Sequence, residues 1–162
     1  MITFDTPIAR FSYRVAAVIL RGGCVLLCHD GEQGHLFLPG GRCELLEPST
    51  VTVARELREE LGVDARPDRL LYVVENFFAS EQAMRIHELG FYYLVALPPD
   101  TTLLDAHVGE LFQGAETDLR LYFSWHPLDD LEHLQPPLYP EFLRTALRHI
   151  PDTIQHIVNI ES

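Results

Sequence analysis

The segment Tyr13–Leu20 constrains the fold more than any other part of the chain, because residues 15–20 are all apolar. Val15, Ala17 and Ile19 alternate with three further apolar residues, so a strand formed here has two apolar faces. Such a strand must be covered on both sides, which is typical of sheets packed between other layers of structure. We therefore expect an α/β fold.

Other runs of apolar and β-branched residues predict further strands. These strands are Cys24–His29, Leu36–Leu38, Arg69–Phe78, His87–Leu97 and Leu119–Trp125. Residues 21–23, with two glycines, predict a hairpin between the first two strands, because glycine adopts positive φ without strain. Helices are expected at Leu128–Leu134 and Tyr139–Ile150, and a loop at Pro99–Asp118.

The composition limits the number of domains and the kinds of partner. The chain has 162 residues, 47% of them hydrophobic, which fits a single domain over residues 1–162. It carries 12 Lys and Arg against 24 Asp and Glu, a formal net charge of −12. This charge disfavours general binding to nucleic acids or to anionic membrane surfaces. The longest apolar run, Val15–Leu20, is too short for a transmembrane helix.

The N-terminal residues and the cysteines bear on the compartment. The first seven residues lack the cationic stretch and the apolar block of a secretory signal, so we expect a cytoplasmic protein. Cys24, Cys28 and Cys43 are odd in number and lack the spacing of a zinc site. We expect them to be buried free thiols.

The segment from Ser49 to Leu61 predicts the best-defined helix. Ser49 is expected to be its N-cap, and Gly62 follows the last helical residue, where glycine is the usual terminator. Val53 and Leu57 lie one turn apart and predict a face that packs on the core.

Three carboxylates share a neighbouring face of this helix. Glu56, Glu59 and Glu60 are spaced at i, i+3 and i+4, so they repel one another. Arg55 can pair with Glu59, but it leaves the other two without a basic partner in the helix. A solvated acidic surface would explain such a face. A divalent cation would also explain it, because Mg²⁺ commonly takes one or two protein carboxylates and then binds phosphates.

A longer pattern of spacing favours the cation. It runs Gly41, five residues, Glu47, seven residues, Arg55-Glu56-Leu57, one residue, Glu59-Glu60, one residue, Gly62-Val63. This pattern resembles the Nudix box without a gap. The order of strands around the box also resembles a Nudix domain, so the resemblance extends over nearly the whole chain. Many family members have glycine directly before the box glutamate, whereas this chain has Leu46.

The resemblance implies a fold and an activity. The fold would be an α/β/α sandwich with a mixed sheet. The activity would be Mg²⁺-dependent hydrolysis of the diphosphate linkage between a nucleoside or similar group and another moiety, with Mn²⁺ as a substitute ion. A homodimer is common in the family. The alternative is a Nudix-fold module that binds a nucleotide without cleaving it, and the retained box acids favour the enzyme.

The resemblance also implies roles for the box residues. Glu56 and Glu60 would be the principal metal ligands, with Glu59 as a further ligand or as a residue that orients them. The main-chain carbonyl of Gly41, or of Gly40 beside it, would be another ligand.

The remaining catalytic assignments concern orientation and proton removal. Arg55 would hold the carboxylates in place for catalysis, with Glu47 as its partner or as a weaker ligand. Glu59 is our first choice for the general base. Glu110 and Glu116, in the long loop, are the alternatives, although solvated charge is the ordinary explanation for loop acids.

Substrate contacts are expected from side chains near the box and on the strands beside it. Arg42 follows the glycine pair and could bind a phosphate, and Arg14 and Arg85 are other basic candidates. His87 could form a hydrogen bond to substrate, and Phe77 could stack on a base, although core packing would also explain an aromatic residue there.

Overall fold

The computed structural model describes residues 1–30, 34–80, 83–115 and 121–161. Its strands are β1 (Thr3–Asp5), β2 (Arg10–Val18), β3 (Leu20–Arg21), β4 (Cys24–Asp30), β5 (Leu36–Phe37), β6 (Gly40–Arg42), β7 (Arg66–Ala79), β8 (Arg85–Ala96), β9 (Phe112–Gln113), β10 (Leu121–Pro127) and β11 (Gln155–Ile160). Its helices are α1 (Ser49–Leu61) and α2 (Leu143–Ala146), with 3₁₀ turns at Thr102–Asp105 and Leu128–His133.

The strands form two sheets in the part of the chain that is described. The first has the order β1-β2-β8-β7-β11, with β6 also paired to β2. It is mixed, because β2 and β8 are parallel, β7 and β8 are antiparallel, and β11 is parallel to β7. The second has the order β3-β4-β10-β9, with β5 paired to β4. The mixed α/β architecture expected from the sequence is confirmed.

Strand β2 is covered on both faces, as its sequence predicts. Val15 and Ala17 belong to a buried cluster that includes Leu57 of α1. Ala16, on the opposite face, belongs to a second buried cluster that includes Leu143 of α2. The two apolar faces of β2 therefore pack in different clusters, one with α1 on one side of the first sheet and one with α2 on the other. The expectation for the cysteines is also confirmed, since all three are free and buried.

Helix α1 has the expected extent but not the expected N-cap. Pro48 is the capping residue, and no side chain caps the helix there. The Ser49 hydroxyl lies 2.6 Å from the hydroxyl of Tyr93 instead, because the first turn packs against β8. Gly62 ends the helix in the left-handed conformation, with φ 70°, and its N–H donates to the carbonyl of Arg58. The predicted C-terminal signal is therefore confirmed, and the predicted N-cap was wrong.

The C-terminal region differs most from the sequence-based expectation. The helix expected at Tyr139–Ile150 is reduced to α2, because the residues on both sides of it form i→i+3 turns rather than α-helical hydrogen bonds. Strand β11 was not expected; its alternating pattern is mostly exposed, and its parallel pairing with β7 depends on distant residues. Within the described residues, no helix is both long and apolar enough to cross a membrane.

Candidate active site

A glycine pair on the first sheet contacts the carboxylates in the second half of α1. Strand β6 pairs with β2 through Gly40 and Gly41. The Gly40 N–H donates to Oε2 of Glu60 at 3.0 Å. A Cβ placed on Gly41 would lie 2.3 Å from the carboxyl carbon of Glu56, so only glycine leaves room for that carboxylate. Two box carboxylates therefore lie directly on the glycine pair.

Arg55 ties three carboxylates together. Its Nε and Nη2 donate to the two oxygens of Glu47 at 2.9 and 3.1 Å, a bidentate pair. Its Nη1 donates to Glu56 at 2.8 Å and to Glu59 at 3.1 Å. The sequence-based view that Arg55 leaves Glu56 without a basic partner was therefore wrong. Arg55 reaches the carboxylate of Glu56, the next residue of the helix, because both side chains lean toward the glycine turn.

The three acids of α1 differ sharply in exposure. Glu60 is buried, with 6% of its surface exposed. The side chain of Glu56 is 15% exposed, and that of Glu59 is 49% exposed. The three acids therefore do not form one solvated surface, because Glu60 points under the glycine turn rather than away from it.

The pKa values follow from these environments. Burial raises the pKa of Glu56, and the hydrogen bond and charge of Arg55 oppose that rise. The hydrogen bonds from Arg55 lower the pKa of Glu47 to about 2, although burial acts to raise it. Glu47 therefore remains charged at neutral pH and holds Arg55 in place.

The loop before α1 accommodates Leu46 at the position where many relatives of the box have glycine. Leu46 has φ 65°, in the left-handed region that favours glycine, and its side chain is fully exposed. The next residue, Glu47, also accepts hydrogen bonds from the Thr52 hydroxyl at 2.8 Å and from the Glu44 N–H at 3.3 Å. These contacts keep the loop in the tight geometry that glycine would otherwise allow.

A cleft of about 310 Å³ adjoins the box, and its polar lining includes Arg14, Arg42, Asn76 and Glu88. Arg14 and Arg42 are directly opposite each other on β2 and β6. Arg14 Nη1 lies 4.0 Å from Glu88. The two arginines therefore lie on neighbouring strands, and both line the cleft beside the glycine pair.

Arg14 connects the cleft electrostatically to the box. Burial acts to lower its pKa, but the charges of Glu88, Tyr92, Glu60 and Glu56 outweigh burial and raise it. Arg14 therefore stays protonated between the cleft and the box carboxylates. Aromatic side chains form much of the remaining wall. They are Phe37, Phe78, Tyr92 and Tyr139.

Two residues expected to contact substrate are not brought to this cleft. Phe77 and His87 stack on each other, with ring centroids 4.5 Å apart. Successive residues of a strand point to opposite faces, and the cleft is lined by Asn76 and Glu88, each one position away. Phe77 and His87 therefore lie on the strands that border the cleft but on the opposite face of the sheet. The period of two, counted from buried Tyr92 on β8, would have selected Glu88.

The two loop acids proposed as alternative bases have different outcomes. The carboxylate of Glu110 is exposed and accepts a hydrogen bond from the His107 N–H at 3.0 Å, inside its own loop. Glu116 lies outside the described residues. Of the candidate bases that the structure describes, Glu59 is the one bonded into the box network.

The box supplies the donors that a hard divalent cation takes. Among the described residues, no group of three or more His, Cys, Asp or Glu side chains is arranged to hold a metal ion. Mg²⁺ needs fewer, since it commonly takes one or two protein carboxylates and keeps several waters. Glu56 and Glu60, which both reach the glycine pair, provide two carboxylates. This oxygen-only set fits Mg²⁺ or Mn²⁺.

Comparison with known proteins gives one family. A model of the NUDIX domain matches residues 10–149. A protein of Bacillus subtilis (strain 168), named putative ADP-ribose pyrophosphatase YjhB, is 30% identical over 142 residues, or 85% of this chain. The chain spans 62% of the length of that relative.

Solved structures agree on the fold. An ADP-ribose pyrophosphatase from Streptococcus suis has a TM-score of 0.56 at 19% identity, covering 91% of this chain and 98% of its own. A MutT NUDIX hydrolase from Burkholderia pseudomallei has a TM-score of 0.58 at 26% identity, covering 83% and 95%. The match extends over the sheets as well as the box.

Proposed function

We propose that the chain, which belongs to the Nudix domain family, is a diphosphate hydrolase that cleaves a nucleoside diphosphate linked to another moiety, with Mg²⁺ as its cofactor. The observation that carries this proposal is the seating of Glu56 and Glu60 on the glycine pair, beside a cleft that presents two arginines. Enzymes of this family generally use a divalent metal ion. Charged and polar groups thus converge where a diphosphate would lie.

Glu56, Glu60 and the carbonyl of Gly41 would hold Mg²⁺. When bound there, the ion would offset charge on the phosphate oxygens and lower the pKa of a water molecule. Arg55 keeps Glu56 and Glu59 in fixed positions through its hydrogen bonds.

Glu59 is our choice for the general base. Its side chain is the most exposed of the three acids of α1, so water can reach it, and Arg55 holds it beside Glu56. It would take the proton from the attacking water. Glu110 and Glu116, in the long loop, remain the alternatives.

Arg14 and Arg42 would bind the diphosphate. A guanidinium group forms bidentate hydrogen bonds with phosphate oxygens, and two such groups on neighbouring strands can contact both phosphates. Arg14 remains charged at any working pH, because the surrounding carboxylates raise its pKa.

ADP-ribose is the first substrate to test. The relative from Bacillus subtilis, at 30% identity, is named as a putative ADP-ribose pyrophosphatase. Nucleotide sugars, dinucleoside polyphosphates and nucleoside triphosphates are the other classes to compare.

The test is hydrolysis of this panel with Mg²⁺, with Mn²⁺ and with a chelator, measured by chromatography of the released nucleotides. We expect metal-dependent cleavage of one class. The test includes the box variants Glu56→Gln and Glu60→Gln. Their matched control is Glu75→Gln, which replaces a glutamate by glutamine on the exposed side of β7, where Glu75 contacts His156. No cleavage of any panel member, together with stabilisation of the protein by a nucleotide, would instead support the non-hydrolytic binding module.

A further inference from the structure

Four polar side chains form a row across the first sheet. Glu88 of β8 lies opposite Ser12 of β2 on one side and opposite Asn76 of β7 on the other. Asn76 in turn lies opposite Asn159 of β11. The row therefore crosses four adjacent strands on one face of the sheet.

This row interrupts a face that is otherwise apolar. Ser12, Asn76 and Glu88 are exposed by only 2%, 4% and 8%. Further along the same face, Ala16 and Tyr92 belong to the second buried cluster. Burying polar groups costs free energy unless they find hydrogen-bond partners. Three buried polar residues at one level of a sheet therefore call for a specific reason.

The outer members of the row orient the inner ones. Ser12 donates its hydroxyl hydrogen to Oε2 of Glu88 at 3.3 Å. Asn159 Nδ2 lies 3.1 Å from Oε1 of Glu161 and 2.8 Å from Oδ1 of Asn76. A carboxylate only accepts hydrogen bonds, so the atom of Asn159 facing Glu161 is its NH₂ group. That group then donates to Asn76, which must present its oxygen to β11 and keep its own NH₂ group for another partner.

Only the inner pair of the row lines the cleft. Asn76 and Glu88 are part of its wall, together with Arg14 and the rings of Phe78 and Tyr92. The cleft therefore presents a fixed donor, the amide of Asn76, next to a fixed acceptor, the carboxylate of Glu88. Side chains directly opposite each other on antiparallel strands have Cβ atoms about 5 Å apart, close enough to contact one small planar group together.

We propose that Asn76 and Glu88 read the base of the substrate and select an edge that carries an amino group beside a ring nitrogen, as adenine does. The amino group donates to Glu88, and the ring nitrogen accepts from Asn76. The aromatic walls suit a flat ring. This assignment rests on the proposed function for the class of ligand, a nucleotide whose phosphates lie at Arg14 and Arg42.

The position of the phosphates gives the pair its selectivity. Arg14 and Arg42 lie on the β2 side of Glu88, so the phosphate end of the nucleotide fixes how the base enters. Hypoxanthine has a carbonyl oxygen in place of the amino group, and that oxygen would face the carboxylate of Glu88. Two acceptors in contact leave both without a donor, which disfavours binding.

The experiment measures equilibrium binding of AMP and IMP by calorimetry, in the presence of a chelator so that no hydrolysis is involved. The wild-type protein is expected to bind AMP about tenfold or more tightly than IMP. The double variant Asn76→Asp, Glu88→Gln exchanges donor and acceptor, so we expect the preference to fall below twofold or to reverse toward IMP. Glu75→Gln, on the opposite face of β7, should leave the ratio unchanged.

Several outcomes would overturn the assignment. Equal binding of AMP and IMP by the wild-type protein would do so, and so would an unchanged ratio in the double variant. An equal loss for both nucleotides in a folded variant would mean that the row serves only to build the sheet. Sensitivity to 2′- and 3′-deoxy analogues without sensitivity to the base would mean that Glu88 binds the ribose.

Asn159 provides a second variant at a residue that does not itself line the cleft. Asn159→Ala removes the donor that fixes the amide of Asn76, so the amide can turn over and offer its oxygen. We expect Asn159→Ala to prefer AMP over IMP less strongly than the wild-type protein does, without the reversal toward IMP expected of the double variant. An unchanged ratio of the two affinities would contradict the assigned orientation of the Asn76 amide.

The binding assay also separates this assignment from the proposed reaction. A protein that hydrolyses nothing but prefers AMP to IMP would contradict the reaction and keep the assignment. A protein that hydrolyses its substrates equally well whatever their base would support the proposed reaction and contradict the base assignment.

Discussion

Replacing Gly41 with alanine is expected to lower kcat about a hundredfold without unfolding the protein. The added Cβ would lie 2.3 Å from the carboxyl carbon of Glu56, where ordinary contact begins at 3.4 Å. The carboxylate must therefore retreat by 3.4 − 2.3 = 1.1 Å. A displacement of about 1 Å in a catalytic site can cost about 10²-fold in rate. We expect kcat to fall by about that factor.

The cost to stability should be small because the clash is with the end of a flexible side chain. Glu56 can move, and the backbone of Gly41 is not in the left-handed region, so alanine causes no strain there. We expect a loss of about 1 kcal/mol or less in the free energy of unfolding, which is a change of about 2–4 °C in Tm for a chain of this size.

The neighbouring glycine provides the matched comparison. A Cβ on Gly40 would lie 2.3 Å from the carbonyl oxygen of Val15, which is backbone and cannot move aside, and Gly40 has φ 143°. Overpacking and backbone strain each cost about 1–3 kcal/mol. Gly40→Ala should therefore lower the free energy of unfolding by about 4 kcal/mol and Tm by about 10 °C.

The assay combines thermal unfolding with steady-state hydrolysis of the best substrate in the panel. We expect opposite outcomes for the two adjacent residues. Gly41→Ala should remain folded and lose most of its activity, whereas Gly40→Ala should be strongly destabilised. Full activity in Gly41→Ala would refute the placement of Glu56 on the glycine, and a Tm for Gly40→Ala equal to the wild-type value would refute the geometry of the turn.

Three further predictions concern single side chains. Glu59→Gln should lower kcat by about 10²–10⁴-fold while Mn²⁺ binding, followed by electron paramagnetic resonance, stays intact; a mild effect would move the base to a loop acid. Leu46→Gly should raise the free energy of unfolding in urea by about 0.5–1 kcal/mol, because it relieves the left-handed leucine at some cost in chain entropy; a loss of stability would contradict this. Burial lowers the pKa of His29 and of His126 below 6.5, so the unfolded chain binds protons more readily as pH falls. Stability should therefore decline from pH 7.5 to 5.5, and by less in the His29→Gln, His126→Gln variant; equal declines would exclude these residues as the cause.

Local signals in the sequence were sufficient for the central elements of the fold. The apolar residues of β2 occupy both faces of the strand, so they predict a strand that is covered on both sides. Gly62 ends α1, as glycine commonly does at the end of a helix. Strand β11 could not be found in this way. Its residues are mostly exposed and look like an edge, and its place beside β7 is decided by contacts between residues about 80 positions apart.

The site shows the same division. Spacing along one helix was enough to collect Glu56, Glu59 and Glu60 as candidates, because helical geometry is local. It could not show that Glu60 is buried, because that burial depends on the contact between the helix and Gly40 of β6. Asn76 was on a strand that the sequence singled out, but choosing it over its neighbour required knowing which face of the sheet forms the cleft.

The most direct test of the central claim is kcat for the best substrate of the panel, measured in Mg²⁺ for Glu56→Gln and Glu60→Gln. Glutamine keeps the size of each side chain and can still accept the hydrogen bond from Gly40, so the fold should persist. We predict that each variant loses about a hundredfold or more in kcat, whereas Glu75→Gln retains the wild-type value. Wild-type kcat in both box variants would contradict the assignment of these carboxylates to the metal and the reaction.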